Sequence, residues 1–228
     1  RLMKGLKEMD LIDNTLVIFN SDNGGLNRAW DNCPLRGAKG VLYEGGVRVP
    51  LIMQWPRVIK KGSRNDDPVH IVDMYQTFKE IARGKVSGDK ILDGESLIPL
   101  MTGQGTLSRE NIYWHHPHYI HDYGKTPCSA IRKGDYKLIY YYGDYLNTLG
   151  YMPVQAEPYG QLIEGEKVEL FNINTDPGEL NDLSKQNPEL AQSLLEELKT
   201  WLDSVNAPMP EKNDDADIEN WYISRNRN

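Results

Sequence analysis

Two short segments of this 228-residue chain carry side chains whose types and spacing could do chemistry. The first reads Ser21-Asp22-Asn23-Gly24-Gly25. A carboxylate beside an amide carbonyl offers two hard oxygen ligands suited to Ca²⁺ or Mg²⁺, and the two glycines let the backbone turn away sharply. Because Ca²⁺ takes about six to eight oxygens, Asp22 and Asn23 form a metal site only if other residues complete it. Otherwise the segment is an ordinary Asp-Asn-Gly turn.

The second segment is rich in glycine and contains a lysine that could bind an anion. It reads RGAKG around Lys39 and then continues as YEGGVR. The Lys39 ammonium, on a loop of small residues, could reach a sulfuryl or phosphoryl oxygen and stabilise the charge that develops there. The residue order is not that of a P-loop. Two simpler alternatives stay open: Lys39 is a solvated loop lysine, and Arg36, Glu44 and Arg48 pair with one another to hold the loop.

A third candidate is a stretch with four histidines in seven positions, WHHPHYIH, which ends at His121. Imidazole nitrogens can bind Zn²⁺ or Cu²⁺, but the stretch offers no cysteine or acidic partner at a fixed spacing. Three roles therefore stay open: the rim of a substrate pocket, hydrogen-bonded structural histidines, and a metal site.

Composition restricts the classes of protein and of partner. With 39% hydrophobic and 26% charged residues, the chain has the composition of an ordinary globular protein. The net charge of −7 argues against a nucleic-acid partner, and no apolar run reaches the roughly 18 residues of a membrane span. The two cysteines, Cys33 and Cys128, are too few for a disulfide framework, and whether they pair stays open.

The elements that position the first two segments are predicted to form a layered α/β structure. Residues 1–9 have apolar side chains at helical spacing, and residues 15–19 form a continuous apolar run that is typical of a strand buried on both faces. Such a strand favours a parallel sheet with flanking helices, and Asp22 follows it at the edge where these sheets bind ligands. Residues 49–55 predict a second strand, and residues 68–82 predict a helix.

Further along the chain the pattern changes to short strands separated by turns. Three stretches predict strands of an antiparallel sheet: residues 111–114, 129–142 and 168–172. Asn187 as N-cap and Pro188 at the first helical position then begin a helix with an apolar stripe, which we expect to lie across the sheet. We therefore predict a first part over residues 1–108 and a second part, with a polar tail, over residues 109–228.

Together these segments resemble the sulfatase family of the alkaline-phosphatase-like superfamily. The resemblance is carried by NTLVIFNSDNGG at residues 14–25, by LRGAKG at 35–40 and by YEGGVRVP at 43–50. Four further stretches continue it in the same order: VHIVDM at 69–74, DGESL at 93–97, AIRKGDYKLI at 130–139 and ELFN at 169–172. Their order and spacing are similar to those of the C-terminal half of a sulfatase.

The resemblance implies a fold, a metal ion and roles for three residues. The fold is α/β: the C-terminal part of an alkaline-phosphatase-like mixed sheet with flanking helices, followed by a small antiparallel-sheet plus helix subdomain. In the family, the Asp-Asn pair at this strand end ligates a divalent cation, usually Ca²⁺. Asp22 and Asn23 thus become expected metal ligands, with Mg²⁺ as the alternative cation. The family's lysine that contacts the sulfate ester matches Lys39, the expected catalytic residue.

The family's nucleophile has no counterpart here. Sulfatases hydrolyse sulfate esters through a formylglycine made from Cys or Ser in a Cys/Ser-x-Pro/Ala-x-Arg motif, which lies in their N-terminal half together with two further acidic ligands. After Cys33 the arginine comes one position too early. Cys128 fits the motif, but its neighbours predict a strand of the second part, whereas the family nucleophile lies at a helix start. We therefore expect no nucleophile in this chain.

The resemblance thus predicts a C-terminal fragment that is inactive alone and whose partner is the missing N-terminal half. Apolar faces on residues 1–9 and 15–19 would then lack their usual cover. An uncovered apolar patch of that size promotes association, so we expect the chain by itself to associate or aggregate.

The predicted function is metal-dependent hydrolysis of a sulfate ester. Similar Trp-His-x-Pro-His-Tyr text occurs in polysaccharide-type sulfatases, which favours a sulfated carbohydrate and makes His115, His116 and His118 candidate substrate-binding residues. Two alternatives stay open: a phosphatase or phosphonate monoester hydrolase of the same superfamily, and a non-catalytic glycan-binding descendant. The resemblance suggests a periplasmic, extracellular or lysosomal location, and the identity of the ester stays open.

Overall fold

The computed structural model describes residues 1–26, 31–85, 91–118, 127–143, 145–147, 161–163 and 165–211. The first part contains α1 (Leu2–Glu8), a 3₁₀ turn (Ile12–Asn14), β1 (Val17–Asn20), α2 (Glu44–Val47), β2 (Leu51–Gln54), α3 (Asp73–Ile81) and α4 (Ile98–Thr102). The second part contains β3 (Asn111–His116), β4 (Cys128–Lys133), β5 (Tyr136–Tyr141), β6 (Tyr145–Asn147), β7 (Gln161–Ile163), β8 (Lys167–Asn172) and α5 (Pro188–Ser204). None of the helices in these ranges is long and apolar enough to span a membrane.

The strands β1 and β2 pair antiparallel, with Val17 opposite Gln54 and Asn20 opposite Leu51. The prediction of parallel pairing is therefore wrong for these two strands. A parallel pair needs a crossover of about a dozen residues or more, usually a helix. The connection here is the glycine-rich loop, and its described residues contain only the four-residue α2. Both strands themselves are confirmed, although each begins two residues later than predicted.

These two strands are more exposed than their continuous apolar runs predict. Phe19 and Ile52 lie opposite each other, and each is 62% exposed. Other large apolar side chains on or beside the helices of the first part are also exposed: Leu2, Met3, Met9, Ile71, Tyr75 and Phe78. The first part therefore carries the expected uncovered apolar surface.

The second part is built on a four-stranded antiparallel sheet with the strand order β3-β4-β5-β8. Successive side chains point to opposite faces, so Ala130 and Ile139 lie on one face and Ile131 and Leu138 on the other. All four side chains are buried. The sheet thus has an apolar core on each face, and both faces need cover.

The helix α5 covers one face of this sheet, as its apolar stripe predicts. Three leucines of the stripe are buried there: Leu194, Leu198 and Leu202. Trp201 of the same helix stacks on Tyr113 of β3, with ring centroids 4.6 Å apart. The predicted N-cap Asn187 does precede the helix, although its side chain makes no cap hydrogen bond.

The glycine-rich loop covers the other face. Leu42 and Tyr43 of this loop are buried in one cluster with Ala130 and Phe171 of the sheet. The loop with Lys39 therefore packs against this face of the second part.

A further contact joins the two parts at the start of α3. The buried Asp73 carboxylate accepts hydrogen bonds from the Arg109 guanidinium and from the backbone N–H groups of His70 and Glu95. Arg109 follows the predicted boundary directly, so this ion pair crosses it. The boundary at residues 108 and 109 stays a prediction.

Candidate functional site

The Asp-Asn turn and the glycine-rich loop meet through their backbones. The Gly24 N–H donates to the Gly46 carbonyl at 2.9 Å, and the Lys39 N–H donates to the Gly25 carbonyl at 3.1 Å. The turn that follows β1 thus lies directly against the loop, and we call this contact the junction. It brings the segment with the predicted metal ligands next to the segment with the predicted lysine.

Close approach of backbones explains the glycines at the junction. A Cβ on Gly24 would lie 1.8 Å from the Gly45 carbonyl oxygen, and a Cβ on Gly45 would lie 2.3 Å from the Gly37 carbonyl oxygen. Gly24 and Gly45 both lie outside the left-handed region of φ. What these two positions require is therefore the absence of a side chain, and not the sharp turn that the sequence suggests.

The Asn32 side chain links the turn to the loop by two hydrogen bonds. Its Nδ2 donates to the carbonyls of Gly25 and Gly37 at 3.0 and 3.2 Å. Nothing in the sequence singles out Asn32, because a lone amide in a polar loop belongs to no motif and no periodic pattern.

The functional atoms of the three predicted residues are available for a ligand. The Asn23 Nδ2 donates to the Gly24 carbonyl at 2.9 Å, which leaves Oδ1 as its ligand atom. The Asp22 carboxylate is exposed and makes no hydrogen bond or ion pair to any residue in the described ranges. The Lys39 side chain is half-buried, and its ammonium likewise has no partner within those ranges.

This donor set fits part of a site for a hard cation. Carboxylate and amide oxygens are the ligands that Ca²⁺ and Mg²⁺ prefer. Within the described part of the chain, no group of three or more His, Cys, Asp or Glu side chains could hold a metal ion. Asp22 and Asn23 would thus be two ligands of a larger shell.

A buried group of charges lies between the loop and the sheet. The Lys137 Nζ lies 3.0 Å from the Glu44 Oε1 and 3.0 Å from the Glu179 Oε1, and the three side chains are at most 3% exposed. The Glu44 N–H donates to the Glu179 Oε2 at 2.6 Å. Burial raises the pKa of the Glu179 carboxyl, and the Lys137 ammonium opposes that rise. Arg48 lies 3.7 Å from Glu44, so one of the pairings predicted within the loop is present.

Tyr43 connects the loop to a second buried carboxylate. Its hydroxyl donates to the Glu169 Oε2 at 2.5 Å and accepts from the Tyr141 hydroxyl at 2.9 Å. Burial, reinforced by the Glu169 charge, raises the pKa of Tyr43 well above its usual value. The Arg36 guanidinium lies 3.9 Å from the centre of the Tyr43 ring and donates to the Glu179 carbonyl at 3.0 Å. Arg36 thus also joins the loop to the second part.

The sequence contains a signal for Lys137 but none for Glu179. Lys137 occurs in the strand YKLIYY and shares its alternation with Ile139 and Tyr141, so its side chain points to the same buried face. A charged residue at such a position needs a charged partner, which pattern reading could have flagged. Glu179 follows the TDPG turn, where an exposed carboxylate is the ordinary expectation.

His115 uses both of its ring nitrogens within the chain. The Nδ1 lies 2.8 Å from the Ser129 Oγ and 3.0 Å from the Tyr142 hydroxyl, and the Nε2 lies 2.8 Å from the Pro208 carbonyl oxygen. These contacts match the structural alternative that the sequence left open.

His116 is the last residue of β3, and His118 lies two residues beyond it. The rings of His116 and His118 lie 4.0 Å apart, and the His116 Nδ1 lies 2.9 Å from the His118 carbonyl oxygen. His118 is exposed. His121 lies outside the described residues.

Neither Cys33 nor Cys128 forms a disulfide bond in this structure. Cys33 is exposed, and Cys128 is buried as the first residue of β4. Cys128 therefore lies in a strand of the second part, as its neighbours predict.

Two family descriptions match the chain, and both concern sulfatases. Residues 38–160 match "N-sulphoglucosamine sulphohydrolase, C-terminal". Residues 114–224 match "C-terminal region of aryl-sulfatase". The two matches overlap and together span the loop from Ala38 onward, the sheet and α5.

Individual proteins agree with these matches. A sulfatase of Formosa agariphila is 36% identical over 219 residues, which cover 90% of this chain and 36% of that protein. The structure of BT4656 in complex with its substrate D-glucosamine-2-N,6-O-disulfate is 26% identical, with a TM-score of 0.71, and the match covers 93% of this chain and 39% of that one. The structure of Ps i-CgsB with k-i-k-neocarrahexaose is 29% identical, with a TM-score of 0.70, and the match covers 98% and 44%.

A phosphonate monoester hydrolase of Agrobacterium radiobacter shares the fold alone, at 20% identity and a TM-score of 0.62, with 88% of this chain and 37% of that one covered. The chain thus spans less than half the length of each of these proteins. Because a sulfatase description matches more than half of its residues, the chain belongs to the sulfatase family, of which it represents the C-terminal region.

Proposed function

We propose that the protein hydrolyses sulfate esters in a metal-dependent reaction, to which this chain contributes Asp22, Asn23 and Lys39. The observation that carries the proposal is the junction, at which the Lys39 N–H donates to the carbonyl of Gly25. It places an oxygen-donor pair and an ammonium group in adjoining segments of a chain that belongs to the sulfatase family.

The role of each residue follows from its chemical type. Sulfatases generally depend on a metal ion; such a cation, when bound, would polarise the sulfate oxygens as a Lewis acid. The Asp22 carboxylate and the Asn23 Oδ1 would bind it, with Ca²⁺ as the proposed ion and Mg²⁺ as the alternative. Lys39 would hold a sulfate oxygen and stabilise the negative charge that grows as the ester bond breaks.

We place the formylglycine nucleophile outside this chain, in the N-terminal half of the same protein. Cys33 lacks the motif, and Cys128 is buried in a strand. The resemblance to sulfatases further suggests a periplasmic, extracellular or lysosomal location.

As substrate we propose a sulfated carbohydrate. BT4656, the 26% identical protein, binds a disulfated glucosamine as its substrate. His116 and His118 are the candidates for contact with the sugar. His115, with both ring nitrogens engaged, is better suited to hold the end of β3 in place beside them.

The two alternatives keep different parts of this proposal. A phosphatase or phosphonate monoester hydrolase would keep the metal ligands and change the ester, but the similarity to such an enzyme concerns the fold alone. A glycan-binding descendant would keep the sugar contacts without turnover. The family match favours sulfate ester hydrolysis over the first alternative. A descendant of the family would match it equally, so only turnover separates the second alternative from the proposal.

The first test is the reading frame upstream of Arg1. A Cys/Ser-x-Pro/Ala-x-Arg motif there, with its formylglycine detected by peptide mass spectrometry, would support the proposal. So would hydrolysis of D-glucosamine-2-N,6-O-disulfate by the full-length protein. A frame without the motif, or a protein that hydrolyses a phosphonate monoester and no sulfate ester, would contradict it.

Substitutions test the three residues. In the full-length protein, Asp22→Ala should raise the Ca²⁺ concentration needed for half-maximal activity about tenfold or more. Lys39→Ala should lower kcat about 100-fold or more, as loss of one charge-stabilising donor does. Lys60→Ala and Asp66→Ala are the matched controls, because both side chains are exposed. Sulfated-glycan binding that is unaffected by Asp22→Ala and Lys39→Ala, without turnover, would favour the glycan-binding alternative.

A further inference from the structure

The loop that carries Lys39 has little regular structure of its own. Between β1 and β2 the described residues contain only the short α2, and the loop and the Asp-Asn turn hold each other through the junction. Hydrogen bonds between two irregular segments do not by themselves set the position of either segment relative to the rest of the fold. Their geometry therefore depends on the contacts that anchor them elsewhere.

Besides the packing of Leu42 on the sheet, three side chains of the loop supply polar anchors, and all three end on the second part. The loop residues are Arg36, Tyr43 and Glu44, and their partners are Glu179, Glu169 and Lys137. The pair of Glu44 with Lys137 joins two full charges, and the Lys137 side chain is 0% exposed. A buried ion pair thus holds the loop against the sheet.

Lys137 lies in a group of oppositely charged side chains that contact one another. Lys137 and Arg48 are positive, Glu44 and Glu179 are negative, and every contact among them lies within 3.7 Å. Burying charges costs solvation free energy that a packed apolar side chain would not cost, so stability alone does not account for a lysine here. An ammonium between two carboxylates does constrain geometry, because its charge-assisted contacts fix the position of Glu44 relative to Glu179.

We infer that Lys137 is a positioning residue for Lys39: by holding Glu44 against Glu179, it sets the place of the Lys39 ammonium relative to the metal-ligand pair. The inference rests on the proposed function, because Lys39 affects the rate only if it contacts the sulfate. Lys137 is too deeply buried to touch a substrate. Its loss would leave two neighbouring buried carboxylates, whose repulsion displaces the loop.

The test is a double-mutant cycle in the full-length protein, with hydrolysis of D-glucosamine-2-N,6-O-disulfate as the activity. The variants are Lys137→Met, Lys39→Ala and their combination. Lys133→Met is the matched control, because Lys133 pairs with Glu197 of α5, away from the loop. We expect Lys137→Met to lower kcat about tenfold or more and to change KM less than about threefold, with no further loss once Lys39 is alanine.

The control separates positioning from general support of the fold. Lys133→Met should leave kcat within about twofold of the unmodified protein. If the losses from Lys137→Met and Lys39→Ala multiply in the combined variant, the inference is overturned, because Lys137 would then act independently of Lys39.

Hydrogen exchange gives a readout that needs no catalysis. The amides of Gly24 and Lys39 donate across the junction, so their exchange rates report its opening. Lys137→Gln removes the buried charge but keeps an amide that can donate to one of the two carboxylates, so it serves if Lys137→Met folds poorly. In either variant we expect both amides to exchange about tenfold faster while the amides of α5 keep their rates.

The two readouts keep the inference and the proposed function apart. Unchanged exchange at Lys39 would overturn the inference, whatever the activity. A full-length protein that hydrolyses no sulfate ester would contradict the proposed function instead, and the exchange result would still decide whether Lys137 positions the loop.

Discussion

At Gly24 the backbone of the Asp-Asn turn comes so close to Gly45 that no side chain fits between them. The contact explains how the turn with the proposed metal ligands can lie directly against the loop with Lys39. Two backbones that touch directly leave little freedom to the side chains that flank them.

Gly24→Ala should therefore destabilise the 228-residue chain by about 3 kcal/mol, because its Cβ would overlap the backbone of Gly45 and Gly46. Urea denaturation measures the loss. Gly5→Ala in α1 is the matched control: no atom lies within 4 Å of its Cβ, and alanine in a helix should stabilise by about 0.5–1 kcal/mol. Equal effects of the two changes would contradict the close contact.

At the level of elements, the start of α3 depends on one buried carboxylate. Burial raises the pKa of Asp73. Hydrogen bonds from Arg109 and from two backbone N–H groups lower it by more than burial raises it, so the pKa lies below the ordinary value of 3.8. The ionised carboxylate therefore stabilises the fold fully above pH 3.8. That contribution is lost as the pH falls through the lower pKa of the folded state.

Asp73→Asn should lower the free energy of unfolding by about 3 kcal/mol at pH 7, because Arg109 loses its charged partner. The difference in the free energy of unfolding between the variant and the unmodified chain should become smaller below pH 3.8, where Asp73 of the unmodified chain also loses its charge. Urea denaturation over a pH series tests both statements. Asp66→Asn is the control, since the exposed pair of Asp66 with Arg64 should contribute less than about 1 kcal/mol at any pH.

At the level of the whole molecule, the two parts differ in how their apolar surface is covered. The antiparallel sheet is covered on both faces, by α5 and by the glycine-rich loop. The strands β1 and β2 leave Phe19 and Ile52 exposed side by side. We predict that a partner segment covers this patch, because exposed apolar surface favours association.

The 228-residue chain should consequently self-associate. Phe19→Thr should weaken the association about tenfold, because it removes roughly 1–2 kcal/mol of apolar burial while keeping a residue that suits a strand. Leu180→Thr is the control, as Leu180 is 81% exposed but lies in the second part. Sedimentation velocity over a concentration range measures both, and a chain that stays monomeric would contradict the prediction.

The same 228 residues should show negligible turnover of an aryl sulfate. Neither cysteine is suited to become the formylglycine, and Asp22 and Asn23 would supply only part of the proposed metal shell. A colorimetric assay with added Ca²⁺ tests the statement. Robust turnover, absent from a Lys39→Ala preparation, would show that the chain holds a nucleophile of its own.

By itself, the sequence determined the family, the order of its predicted helices and strands, and the stripe of α5; it did not predict α2, α4, β6 or β7. Motifs and hydrophobic periodicity are local properties of the sequence, so they can be recognised before the fold is known. The same text identified Asp22, Asn23 and Lys39 as candidates, and their roles stay predictions.

Only the tertiary structure decided what lies between distant residues. The antiparallel pairing of β1 with β2, the contact at Gly24 and the grip of Lys137 on Glu44 each join residues far apart in the chain. Strand direction depends on the path of the connection, and a buried charge depends on partners that no local pattern reveals. The physical reason is the same in each case: these interactions exist only once the chain has closed on itself.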